Sequence, residues 1–144
     1  MLQSWLEYHS PPVLLSSGGE SRWFVNSETM FRDWALRDVI LDYFAKFLTE
    51  PARPCWNIVG VSSGGIPWAT ALAKMVPCAT DGWPVVVEDV VTTGKSAHGM
   101  TEQLELEGAT GKRSLVLAVV VRTAKPEYPP DGAWAWISLP FIST

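Results

Sequence analysis

Three short apolar runs, two of them followed by a stretch with helical spacing, constrain this chain more than any other feature. They are Asn57-Ile58-Val59-Gly60-Val61, Val85-Val86-Val87 and Leu115 to Val121. Neighbouring side chains on a strand leave opposite sides of the sheet, so runs apolar at successive positions need cover on both faces. A helix-like segment from Pro67 to Met75 follows the first run. A second, about Ser96 to Leu106, follows the next and stops at Gly108, a residue suited to a helix C-terminus. This alternation predicts a doubly wound α/β fold built on a parallel sheet. A last strand, Trp134 to Leu139, is expected at its edge.

Upstream, Leu36, Val39, Ile40, Tyr43, Phe44 and Phe47 recur at three- and four-residue steps, predicting an amphipathic helix from Asp33 to Leu48 with Asp33 as its N-cap. Before it, a short helix is expected at Ser4 to His9, closed by Pro11-Pro12. A turn at Ser16-Ser17-Gly18-Gly19 and a strand at Arg22-Trp23-Phe24-Val25 should follow.

With 144 residues, 47% hydrophobic and 18% charged, the chain suits one globular domain over residues 1–144 rather than a disordered one. The net charge of −4 speaks against a nucleic-acid partner. No apolar run approaches the roughly 20 residues of a membrane span, and no signal peptide is visible, so a cytoplasmic protein is expected. Cys55 and Cys78 fit no metal spacing and read as reduced thiols.

The chemistry concentrates after the second run, in VVVEDVVTTGKS, Val85 to Ser96. Glu88 and Asp89 follow three valines that should be buried, and carboxylates so placed need partners: sugar hydroxyls, a hydrated magnesium ion or a developing positive charge. Thr92-Thr93-Gly94-Lys95-Ser96 then lead into a helix whose hydroxyls, N–H groups and dipole suit an anion. Acids and an anion cup a few residues apart match a ribose phosphate. A nucleoside-triphosphate loop is excluded, because it needs a glycine at position 89.

VVVEDVVTTGKS resembles the phosphoribosyl-diphosphate signature of the type I phosphoribosyltransferases. The resemblance implies that Glu88 and Asp89 hold the ribose hydroxyls and that Thr92, Thr93, Gly94, Lys95 and Ser96 hold the 5-phosphate. GVSSGGIPWATALA is similar to the family's diphosphate loop and the helix after it. It implies that Ser62, Ser63, Gly64 and Gly65 face the leaving diphosphate, although the residues alone equally suit a tight turn. LLSSGGESRWFVNSETMF resembles the orotate phosphoribosyltransferase entry segment, placing Trp23 and Phe24 near the base or, equally, in the core. One departure is Ser16, where the orotate enzymes usually carry Lys. Arg122, after VLAVVV, is the matching candidate for a base carboxylate. The tail PEYPPDGAWAWISLPF is instead similar to purine-type members, so the base is orotate first and a purine second. His98, next to the loop, faces either phosphate or solvent.

Family members usually place a long basic hairpin, a lid, between the first crossover helix and the acidic strand. Here 76–83 is too short for one and carries no basic residue, so the lid region reads as truncated. The resemblance implies transfer of the phosphoribosyl group from phosphoribosyl diphosphate to a nucleobase, with Mg2+ and a homodimer. The alternative is a non-catalytic sensor or partner subunit that binds phosphoribosyl diphosphate or a nucleotide.

Overall fold

The computed structural model describes residues 5–14, 20–49, 55–108, 114–122 and 133–138. Strands β3 (Trp56–Gly60), β4 (Trp83–Val91), β5 (Leu115–Val121) and β6 (Ala133–Ser138) form one parallel sheet in that order. Register runs residue for residue, with Trp56 opposite Trp83 and Gly60 opposite Val87. Helices α3 (Ser62–Ala73) and α4 (Lys95–Gly108) make the crossovers.

The sheet is wound in both directions. After α3 the chain does not go straight to β4. Trp56 donates its N–H to the Pro77 carbonyl (3.0 Å) and accepts from the Ala79 N–H (2.9 Å), forming an isolated parallel bridge with Cys78. The N–H of Trp83 in β4 instead reaches the carbonyl of Cys55 (3.1 Å). Alternate peptide groups of a strand point to opposite edges, so Cys78 lies outside β3 and β4 lies on its inner side. The chain steps outward, reverses, and sets off the other way. This reversal puts α3 and α4 on opposite faces.

The packing agrees. Trp68, Ala69 and Leu72 of α3 cluster with Val85, Val87, Leu117 and Val119, while Ala97, Met100 and Leu104 of α4 cluster with Val86 and Val116. Val85, Val86 and Val87 are fully buried, each worth about 1.5–3 kcal/mol against exposure. Helix α2 (Trp34–Leu48) adds Ile40, Leu41, Phe44 and Leu48 to the larger cluster. Its N-cap is Asp33, whose carboxylate accepts from the Leu36 N–H at 3.2 Å, as its sequence position predicts.

A two-stranded antiparallel ribbon, β1 (Leu6–Leu14) and β2 (Glu20–Val25), precedes the sheet. The helix expected at Ser4 to His9 is therefore corrected to a turn at Trp5 and a strand from Leu6. Tyr8 lies opposite Trp23, their rings edge-on at 5.1 Å, and this cross-strand pair outweighs local helix propensity. Register shifts between Tyr8 and Val13, where Pro11 and Pro12 have no N–H to give the ladder. A short helix, α1 (Ser27–Arg32), joins the ribbon to α2.

Two further boundaries move. Helix α3 starts at Ser62 rather than Pro67, taking the expected Ser-Ser-Gly-Gly turn into its first turn. Strand β4 runs on through Glu88 and Asp89 to Val91. The connection 74–82 holds turns and the Cys78 bridge. The expected turn at Ser16 to Gly19 and most of the tail lie outside the described residues. Among those described, no helix is long and apolar enough to cross a membrane, and both cysteines are free.

Candidate active site

The reversal between β3 and β4 opens a cleft beyond their carboxyl ends, where ligands of such sheets bind. Its volume is about 880 Å³, and Ser63, Gly64, Glu88, Asp89 and the whole run Thr92 to Ser96 line it. Phe24 and Arg122 line it too. Most of the residues singled out from sequence thus meet in one cavity.

Glu88 is buried at 6% exposure, at the end of the valine run, and Asp89 is half-buried. Asp89 lies against Gly64, and a β-carbon at Gly64 would overlap its carboxylate. The missing side chain lets the first turn of α3 close onto the end of β4. A carboxylate there also favours the positive end of α3, typically by about 0.3–1 kcal/mol. Gly65 does not line the cleft. It sits behind, where a β-carbon would meet the Val87 carbonyl, and its N–H bonds the Val61 carbonyl at 3.1 Å.

On the other side, Gly94 has a φ of 85°, a left-handed conformation that turns the chain from β4 into α4. The Thr93 hydroxyl accepts from the Lys95 N–H at 3.3 Å. Thr92, Thr93 and Ser96 bring hydroxyls to the start of α4, and Lys95 brings a cation. His98 pairs with Glu102 at 3.0 Å and does not line the cleft.

Arg122 follows β5, its N–H bonded to the Val91 carbonyl (2.9 Å). The guanidinium is buried at 2% exposure and donates from Nη2 to the Ser21 hydroxyl at 2.8 Å. Its Nε has no hydrogen-bond partner among the described residues. Burial pulls its pKa down from the ordinary arginine value. A buried cation served by one hydroxyl among the described residues suits an anionic ligand group.

Phe24 and Trp23 part company. Phe24 lines the cleft with His9 edge-on at 6.0 Å, whereas Trp23, next along the pleat, packs on Tyr8 and is not a lining residue.

Sequence reasoning passed over α1, which contributes Ser27, Glu28, Phe31 and Arg32 to the wall. Its cap Asn26 also lines the cleft and accepts from the Thr29 N–H at 3.0 Å. The Asn26 amide donates to Glu7 (2.9 Å), whose other oxygen meets His9 Nε2 at 2.9 Å. These hydrogen bonds, Asn26 first and His9 second, hold the Glu7 carboxyl below its usual range. The signal was present: Asn26 followed by an acid in the first turn is an N-terminus pattern.

An acid pair and a helix start that line one cleft at the switch point of a doubly wound sheet define an α/β protein with a ligand-sized cleft. An orotate phosphoribosyltransferase of Aeropyrum pernix is 29% identical over 125 residues, spanning 72% of this chain and 67% of that protein. The crystal structure of orotate phosphoribosyltransferase from Aeropyrum pernix superposes with a TM-score of 0.70 and 23% identity, covering 93% of this chain and 88% of that one. The Mycobacterium tuberculosis enzyme in complex with inorganic phosphate gives 0.64 at 21% identity, with coverage of 93% and 88%. A purine phosphoribosyltransferase of Pyrococcus horikoshii gives 0.54 at 20% identity, with coverage of 72% and 89%. No family model matches the chain. The chain has the α/β fold of these orotate and purine phosphoribosyltransferases, and its sequence is similar to that of an orotate phosphoribosyltransferase.

Proposed function

We propose that this protein transfers the phosphoribosyl group of phosphoribosyl diphosphate to a nucleobase, orotate first, and releases diphosphate. The observation that carries this reading is the meeting of Glu88 and Asp89 with the Thr92–Ser96 helix start in one cleft. A ring nitrogen of the base forms the new bond to C1 of the ribose. The bond from C1 to the diphosphate oxygen breaks, its electron pair leaves with diphosphate, and the proton on nitrogen passes to solvent.

Charge builds on the sugar in such a displacement, so positioning and electrostatics carry the catalysis. Glu88 and Asp89 hold the ribose hydroxyls and face the cationic sugar. Thr92, Thr93, Gly94, Lys95 and Ser96 hold the 5-phosphate. Ser62, Ser63, Gly64 and Gly65 form the diphosphate end, of which Ser63 and Gly64 reach the cleft wall. Arg122 takes the orotate carboxylate, and Phe24 lies beside the base.

Among the described residues no group of three His, Cys, Asp or Glu could hold a metal ion. Magnesium would arrive on the diphosphate, held through water near Glu88 and Asp89. When bound, it would neutralise charge on the leaving group. We further propose that the chain acts as one domain, in the cytoplasm, as a homodimer.

The test is diphosphate release from phosphoribosyl diphosphate with magnesium, across orotate, uracil, adenine, hypoxanthine, guanine and xanthine. Base-dependent release names the acceptor. Binding of the substrate with no release under any base overturns transfer and leaves a nucleotide-binding protein.

A further inference from the structure

Three cations line the cleft among the described residues: Arg32, Lys95 and Arg122. Arg122 is buried and bonded to Ser21, and Lys95 belongs to the loop assigned to the 5-phosphate. Arg32 is different. Its side chain is 76% exposed and pairs only one turn back along α1, with Glu28 at 2.6 Å. Such an exposed i,i+4 pair is weak and is screened by salt. Exchange of that partner for a multiply charged anion is therefore favourable.

Its position is fixed by its neighbour. Phe31 stands edge-on to Trp68 of α3 at 5.0 Å, which seats the last turn of α1 against α3. Ser63, Gly64 and Pro67 of α3 line the same cleft as Phe31 and Arg32. Arg37, the next cation along, is held over the Phe31 ring at 5.1 Å and does not line the cavity.

Building on the transfer reading above, we infer that Arg32 is an anion-binding residue for the leaving diphosphate, held in reserve by Glu28 until that anion enters. It supplies a cation on the wall where α1 packs against α3.

Calorimetry with magnesium diphosphate and, separately, ribose 5-phosphate tests this on the wild type, Arg32→Gln, Arg32→Lys and Glu28→Gln. Arg32→Gln should weaken diphosphate about tenfold, as loss of one charge-assisted contact does, and leave ribose 5-phosphate unchanged. Arg32→Lys should restore most of the affinity, and Glu28→Gln should tighten diphosphate. Undiminished diphosphate binding in Arg32→Gln overturns the inference, as does equal weakening of both ligands. A wild type that binds ribose 5-phosphate but not diphosphate overturns it while the phosphate loop stands. A wild type that binds neither removes the transfer reading as well.

Discussion

The Asp89 carboxylate rests against the α-carbon of Gly64, so the acid on β4 and the first turn of α3 share one position in space. Gly64→Ala should push a flexible carboxylate aside and cost at most about 1 kcal/mol of stability. Gly65→Ala, whose new methyl meets the rigid Val87 carbonyl, should cost about 1–3 kcal/mol. Thermal unfolding and turnover, measured together, separate them. Gly64→Ala loses at most a few degrees of melting temperature but loses rate, while Gly65→Ala loses more melting temperature.

Asp89→Asn keeps the shape and removes the charge facing the sugar. Turnover should fall about 100-fold or more, with the melting temperature within about 2 °C of the wild type because the group is only half-buried. A variant as fast as the wild type would remove Asp89 from the mechanism.

Arg122→Gln tests the base end. In the proposed complex the buried guanidinium meets a carboxylate, so KM for orotate should rise about tenfold or more. Uracil, which lacks that carboxylate, should be handled no worse by the variant. Equal losses with both bases would make Arg122 a structural residue.

The Glu7 carboxyl titrates below its usual range in the folded chain, through its bonds to Asn26 and His9. A depressed folded value means stability present above the unfolded value, about 4.3, and lost as pH falls through the folded one. Melting temperature followed downward from about pH 6 should therefore drop more steeply for the wild type than for Glu7→Gln. Parallel curves would show that the bond to Asn26 contributes nothing to folding.

The sheet was legible where burial writes an unmistakable pattern. Val85 to Val87 and Leu115 to Val121 are apolar at successive positions, and α2 shows both its period and its cap at Asp33. The loop residues Thr92 to Ser96 were legible because their chemistry is local. What escaped depends on partners distant in sequence or is too short to show a pattern. Strand β1 is fixed by pairing with β2, and nothing within Leu6 to His9 announces Trp23. Likewise α1 is too short to show a period, and only its cap bond to Asn26 marks where it begins. Pro67 invites a helix start at itself, yet α3 begins five residues earlier because Gly60, Gly64 and Gly65 let its first turn lie close on the sheet.

The pairing of Gly60 with Val87 carries a consequence for the order of the two acids. Successive positions on β4 leave by opposite sides, so neighbours in sequence are given unlike surroundings. Asp89 gets the amino end of α3, whereas Glu88 meets the cleft from a buried place at the close of the valine run. The two are not spare copies of each other. Exchanging them, Glu88→Asp together with Asp89→Glu, would conserve composition, charge and strand. It would still put the longer arm where Gly64 leaves room only for the shorter one.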